Sequence, residues 1–300
     1  MATIGDVVEV FDKLYPPELA ESWDAVGLVC GDPSADVRKV YFCVDVVAAT
    51  VDEALNWGAD LLVAHHPLLL RGVTAIPTTT PKGRTLHRLI RAGAGLFVAH
   101  TNADSADPGV SDALAARLNL HSLRPLHPHA ALSAPKDATG RDATGRDAIG
   151  RDAAGRDAAG DGRVGIGRIG VLPEPMTAGE LAALAAKVLP ATPGGVRLAG
   201  DPARVVRTVA VSGGAGDSYL GDATRAGVDA FLTADLRHHP ASEHSEAGGP
   251  VLLDAAHWAT EQPWLAQAAA ALVSSVGAAT VETFVSDLVT DPWTRAVVPG

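Results

Sequence analysis

Cysteine is nearly missing from this chain of 300 residues, which has only Cys30 and Cys43. Both sit in apolar stretches, so no disulfide framework can form, and a small buried thiol in a reducing compartment is the expected role of each. Aromatic side chains are almost as scarce. They make up 4% of the residues against 47% hydrophobic, so the core must be built from Ala, Val and Leu on closely packed strands and helices, as in an α/β protein. Excess positive charge is absent too. A formal charge of -11 excludes broad binding along a nucleic-acid backbone, which calls for clustered Lys and Arg. No apolar run reaches membrane-spanning length, and the opening MATIGDVVEVF carries acids where a signal peptide has basic residues and an apolar core. A cytoplasmic protein without membrane contact is expected.

What is present is a repeating strand and helix grammar. Ile4, Val7, Val8, Phe11 and Leu14 recur at helical spacing behind the N-cap candidate Thr3, and Pro16-Pro17 stops the run. Apolar runs at 37–45, 59–66 and 94–104 read as buried parallel strands. Helical segments between them close at Gly58 and Gly93. After residue 163 the pattern returns at IGRIGVL, 205–216, 228–239 and 250–261, with Thr177 and Glu180 forming a capping box. GADLLVAHH and GVDAFLTADLRHH each follow a strand-helix unit at a similar interval. The expected architecture is therefore α/β, with two related lobes at 1–133 and 163–300. Between them, 134–162 holds five near-identical pentads beginning DATGR. Their Asp, Gly and Arg content leaves little apolar surface to offset chain entropy, so a disordered insert is expected rather than a metal-binding repeat.

In open α/β sheets ligands bind beyond the carboxyl ends of the strands. Asp45, His65-His66, His100 through Asp104, Ser212-Gly213-Gly214, Asp235 with His239, and Asp254 with His257 and Glu261 all follow apolar runs that would end at one rim. Adjacent histidines in extended backbone point to opposite sides, and Pro67 holds His66 out of the helical region. Alone, such a pair is usually incidental. His257 and Glu261, four apart at a helix start that tolerates Pro263, share one face. That pattern is weak alone as well, and most often marks a partly exposed helical face. Taken together, His65, His66, His257, Asp104 and Glu261 offer three imidazoles and two carboxylates, a donor set suited to Zn, Mn, Fe or Co. Five side chains saturate two ions only if a carboxylate bridges, which leaves positions for water or substrate and points to hydrolytic chemistry. Gly213, Gly214 and Gly216 could cradle a phosphate at a helix start, although a tight turn fits equally well without the Walker lysine or the dinucleotide spacing. Trp23, Asp24, Gly27 and Leu28 could line the crevice, with a core position the default for Trp23. His87, His121, His127 and His129 fall outside these rims and receive no role.

SWDAVGLVCG, GADLLVAHHPLL, KGRTLHRLIRAG, AHTNADSADPGVSDALAARL, GRIGVL, VAVSGGAG, FLTADLRHH and DAAHWATE, in this order, resemble the GTP cyclohydrolase 1 type 2 family, also called NIF-three-like proteins, over nearly the whole chain. The resemblance implies a two-lobed fold with a dinuclear site at the cleft between the lobes. His66 and Asp104 would serve one ion, His65 and His257 the other, and Glu261 both. It also implies a ring-shaped homo-oligomer, commonly a hexamer. Ala25 stands where the family often has Asn, and Ala234 and Ala256 where it often has Gly. Strain from Ala in a left-handed turn would then reshape the rim near Asp235 and His257. A folded domain found between the lobes of longer relatives is replaced here by the pentads.

The family name implies hydrolytic opening of the guanine ring of GTP, releasing formate, with His100, Asp235 or His239 moving protons. Only Arg71, Lys82, Arg84 and Arg237 lie near these segments to meet a triphosphate. Another nucleotide or phosphorylated metabolite is thus the second expectation, and a metal-holding interaction or regulatory protein the third.

Overall fold

The computed structural model describes residues 2–129, 162–277 and 280–297. The pentad tract expected at 134–162 lies, save Gly162, outside the described residues. In chain order the strands are β1 (Ala2–Thr3), β2 (Gly27–Cys30), β3 (Asp36–Val37), β4 (Lys39–Cys43), β5 (Leu61–Ala64), β6 (Gly95–Val98), β7 (His121–Pro128), β8 (Gly165–Thr177), β9 (Arg197–Ala199), β10 (Val205–Ala215), β11 (Ala230–Ala234), β12 (Val251–Ala255) and β13 (Glu282–Val285). The helices are α1 (Ile4–Leu14), α2 (Ala48–Trp57), α3 (Pro81–Ala92), α4 (Thr101–Ser105), α5 (Val110–Arg117), α6 (Ala178–Val188), α7 (Leu220–Ala226), α8 (His238–Glu246) and α9 (His257–Val276).

Local chemistry sets the helix ends. Thr3 accepts the Asp6 N–H while the Asp6 carboxylate accepts the Thr3 N–H at 2.8 Å, a reciprocal box that starts α1. Thr177 and Glu180 repeat the arrangement at α6. Gly58 and Gly93 close α2 and α3 in left-handed backbone, at φ 82° and 74°, where a Cβ would be strained.

Sheet one has the order β13-β4-β5-β6-β2, and sheet two the order β7-β8-β10-β11-β12-β9. β13, β4, β5 and β6 run parallel, as do β10, β11 and β12, and the remaining neighbours are antiparallel. Both parallel cores are anchored alike. Asp60, just before β5, accepts the backbone N–H groups of Arg38 and Lys39, and Asp229, just before β11, accepts those of Arg207 and Thr208, at 2.8–2.9 Å. Gly58 and Gly227, two residues earlier in each half, both cap a helix in left-handed backbone. The two α/β lobes therefore share a local construction as well as a class.

The sheets do not divide at the boundaries 133 and 163. β7, from the first segment, pairs with β8 in sheet two, and β13, from the second, pairs with β4 in sheet one. Each lobe thus takes a strand from the other's stretch of sequence. The run at 94–104 also differs from a continuous strand. β6 stops at Val98, and Thr101–Ser105 turns into the short α4, because the Asn102 side chain accepts the His100 N–H at 2.9 Å and donates to the Tyr15 carbonyl at 2.7 Å.

Between the sheets, α9 packs on α5, α1, β4 and β10. Trp264, in its second turn, is fully buried and donates to the Tyr15 hydroxyl at 3.1 Å. Phe11, which stacks on Tyr15, also meets Phe42 and Phe97 with ring centroids 5.4–6.2 Å apart. Pro263 is the seventh residue of α9, placed in the second turn. It leaves the Ala259 carbonyl without its helical donor.

Candidate metal centre

The carboxyl ends of the parallel strands of both sheets meet at one place, and side chains from both lobes converge there. β5 delivers His65 and His66, whose N–H groups still bond to the Cys43 and Val44 carbonyls at 3.1 and 2.9 Å. Extended pairing sends the two rings to different neighbours. The His65 ring is fully buried beside Trp264 with centroids 5.3 Å apart, and the His66 ring lies 5.0 Å from that of His257. α4 presents Asp104. The first turn of α9 presents His257 and Glu261 from one face, as their spacing requires.

Glu261, 3% exposed, is the hub. Its Oε1 lies 3.4 Å from His65 Nε2 and 3.0 Å from His257 Nε2, and its Oε2 lies 3.0 Å from His66 Nε2. Asp104 Oδ1 is 3.7 Å from His65 Nε2, and the Nε2 atoms of His66 and His257 are 3.2 Å apart. One carboxylate thus faces histidines on both of its oxygens, the position a bridging ligand needs.

Hydrogen-bond accounting shows what the cluster requires. Each of the three rings has its Nδ1 against an oxygen that can only accept: the Ala99 carbonyl at 2.9 Å for His65, Asp45 at 2.7 Å for His66 and Asp235 at 2.7 Å for His257. The proton therefore sits on Nδ1, and in the neutral ring Nε2 turns a lone pair inward. Those lone pairs face carboxylate oxygens that are acceptors as well. Among the described residues, His65 Nε2, Asp104 Oδ1 and Glu261 Oε2 are buried side-chain atoms without a hydrogen-bond partner. The 3.0 Å approach of Glu261 Oε2 to His66 Nε2 is therefore a close contact without hydrogen-bond geometry. Buried acceptors facing acceptors are costly unless a cation lies between them.

Ionisation follows the same logic. Burial opposes charge on His66 and His257, yet the Glu261 carboxylate together with Asp45 or Asp235 outweighs it and raises both above the ordinary imidazole value. His65, fully enclosed, is lowered by burial. Asp104 is pushed well above the carboxylate range, by burial and then by Glu261. Glu261 falls well below it, since the three imidazoles outweigh its burial. Without a cation, the Glu261 charge thus favours protons on His66, His257 and Asp104. A divalent ion does the same electrostatic work with better geometry, and the donor set of imidazole and carboxylate fits such ions.

Beside the cluster opens a cavity of about 450 Å³ lined by Trp23, His100, Asp104, Ser212, Tyr219 and Glu261 among others. His100 belongs to this wall, with its ring 5.2 Å from that of His65 and 5.6 Å from that of His66. Its Nδ1 bonds Asp24 at 2.9 Å. Burial would raise Asp24, but His100 and Thr101 hold it below the carboxylate range. Asp235 stands behind His257 on the exposed side. His239 does not line this cavity; it is exposed in the first turn of α8, with its ring 5.1 Å from that of His238. Trp23 is 56% exposed at the cavity mouth, edge-on to His100, and so departs from its default core position.

The glycines of 213–216 serve space rather than phosphate. Their segment continues β10, and the N–H groups of Gly214 and Gly216 already donate to Thr260 and to the Ala234 carbonyl. Gly214 has φ 65°, and a Cβ there would lie 2.5 Å from Glu261 Oε1 and 3.1 Å from His257 Nε2, so the backbone closes one wall of the cluster directly. The expected left-handed strain falls on Asp235, at φ 56°, whereas Ala234 ends β11 and Ala256 is extended at φ −70°. An Asx-type residue tolerates that conformation better than alanine does. Asp24 behind His100 and Thr290, which donates to Asp45 Oδ2, carried no pairing signal in the sequence.

Comparison with known proteins agrees with this fold. Over 299 residues, 99% of this chain and 95% of the relative, the sequence is 51% identical to a Streptomyces coelicolor protein named GTP cyclohydrolase 1 type 2 homolog. A protein of the same name from Mycobacterium leprae is 41% identical, covering 97% of this chain and 95% of its own. The fold superposes on the crystal structure of a Bacillus cereus protein related to NIF3 with a TM-score of 0.84 at 26% identity, covering 99% of both chains. Residues 2–292 match the family described as Duf34/NIF3 (NGG1p interacting factor 3), and the chain belongs to that family.

Proposed function

We propose that the cluster holds two divalent cations and that the protein is a metal-dependent hydrolase. The observation that carries this reading is the set of three buried ligand atoms without a hydrogen-bond partner: His65 Nε2 and Asp104 Oδ1, 3.7 Å apart, and Glu261 Oε2, 3.0 Å from His66 Nε2. His65 and His257 share the Oε1 side of Glu261, and His66 stands on the Oε2 side. Asp104, whose Oδ1 lies 3.7 Å from His65 Nε2, adds the second carboxylate, and Zn, Mn or Fe suits such donors. Ions held there supply Lewis acidity, acidifying water and polarising the bond to be broken.

The chain's own groups do the rest. Asp45, Asp235 and the Ala99 carbonyl orient the three rings so that each Nε2 points inward. His100, kept in place by Asp24 and facing the cavity, is positioned to exchange a proton with a bound molecule. Asp235 serves His257 rather than the cavity. The cavity volume suits a nucleoside-sized ligand, and the shared name of the relatives points to GTP, with hydrolytic opening of its guanine ring and release of formate. Purified protein loaded in turn with Mn, Zn and Fe and given GTP tests this: formate appears with wild type and disappears in His65→Ala. No formate with any metal, although metal is bound, rejects the GTP assignment.

One observation favours a second substrate class. No Lys or Arg is among the described residues lining the cavity, so a metabolite with fewer phosphates than GTP fits it better. A phosphatase and deaminase panel on the same metal-loaded preparations separates the two readings.

A further inference from the structure

The segment after β13 returns across the end of sheet one toward the cluster. Ser286 is fixed first: its N–H bonds to the Phe42 carbonyl at 2.9 Å, and its hydroxyl donates to Glu53 at 2.7 Å. Glu53 also accepts the Tyr41 hydroxyl at 2.6 Å, and Leu288 N–H donates to the Ser286 hydroxyl at 3.2 Å. The chain then brings Thr290 to Asp45. The Thr290 hydroxyl donates to Asp45 Oδ2, while Asp45 Oδ1 accepts from His66 Nδ1 at 2.7 Å. Four residues beyond the fixed Ser286, a hydroxyl thus occupies the one carboxylate oxygen that His66 leaves open.

An aspartate held on one oxygen can rotate about its terminal bonds. Held on both, it presents a fixed acceptor to the imidazole. Second-sphere acceptors of this kind set the tautomer and orientation of a ligating histidine. His257 and His65 are oriented differently, by an exposed aspartate and by a backbone carbonyl. Only His66, among the three, has its carboxylate buttressed by a hydroxyl in the hydrogen bonds described.

We propose that Thr290 is a positioning residue for the metal centre: by clamping Asp45 it fixes the His66 ring, so the C-terminal segment controls the affinity of the ion on the Oε2 side of Glu261. This rests on the reading of the cluster as a dinuclear metal site. The carboxyl-terminal stretch is then part of the centre, although it supplies no ligand. A direct consequence is asymmetry, since the ion served by His66 depends on this stretch and the ion served by His65 and His257 does not.

The test is titration of the full-length, metal-stripped protein with Co or Zn against a chromophoric chelator, with the Co absorption spectrum recorded at each step. Thr290→Val is expected to weaken one of the two binding steps about 10-fold to 100-fold and leave the other unchanged, and Thr290→Ser to restore wild-type binding. In an Asp45→Asn background the Thr290→Val change should have no further effect, because the pathway is already broken. Equal binding by wild type and Thr290→Val overturns the proposal. So does a Thr290→Val loss that persists with Asp45→Asn, or one that strikes both steps equally, since either marks general damage to the fold. Failure of wild type itself to take up two ions would instead overturn the dinuclear reading, which separates the two claims.

Discussion

Glu261 and Gly214 define the cluster together, one by the charge it brings and the other by the side chain it omits. A methyl group at Gly214 would meet Glu261 Oε1 at 2.5 Å, and the residue's φ of 65° is unfavourable for alanine. Gly214→Ala should therefore cost about 1–3 kcal/mol of stability and displace the Glu261 carboxylate, reducing metal uptake to one ion or none while the circular dichroism stays that of a folded protein. Unchanged uptake of two ions would show that the backbone there yields without moving Glu261. The candidate residues that the fold brings together were readable one by one because His65, His66, Asp104, His257 and Glu261 each follow an apolar run. Orientation was not. Asp24 and His100 are 76 positions apart, and Asp45 and Thr290 are 245 apart, distances over which no local spacing carries information.

Strands and helices obey the same division between local and distant causes. The runs that became β4, β5, β6, β10, β11 and β12 could be read because parallel strands buried on both faces are continuously apolar. The exchange of β7 and β13 between the lobes could not, since partner choice depends on the whole topology. Asp60 and Asp229, which each hold two N–H groups at the start of the neighbouring strand, show how the two halves set their register. Asp229→Ala should destabilise the protein by about 1–3 kcal/mol at pH 6. Burial opposes ionisation of Asp229, but the donors from Thr208 and Arg207 outweigh it and lower its pKa in the fold. A lowered value means the stabilisation is complete above the unfolded pKa of about 3.9 and is lost as pH falls through the folded value. Denaturant curves of wild type and variant should accordingly converge as pH drops toward 3, and a gap of constant size would refute the ionic origin of the effect. In α9, Trp264→Ala should cost about 3–5 kcal/mol and loosen His65 with it, seen as a lower melting temperature together with weaker metal binding.

For the molecule as a whole, the decisive feature is that the clustered side chains come from both lobes, so the candidate metal centre and the lobe interface form one unit. Metal loading should raise the melting temperature of a single cooperative transition. Two separate transitions, only one of them metal-sensitive, would contradict that coupling. The repeat tract makes the opposite prediction. β7 and β8 remain paired to Pro128 and Gly165, and His129 N–H still reaches the Val164 carbonyl at 3.1 Å, so the ladder closes without help from the residues between. Deleting 135–161 should leave metal content and melting temperature nearly unchanged, because shortening a connection between paired strand ends alters closure entropy only slightly. A large loss of either would give the tract a structural role.

Most direct is elemental analysis of the full-length protein after metal stripping, reconstitution and gel filtration, with wild type beside Glu261→Ala. Two divalent ions per chain in wild type, falling to one or fewer in the variant, is the predicted result. Wild type that retains no stoichiometric metal, or a variant that retains as much as wild type, would contradict the dinuclear centre on which the functional reading stands.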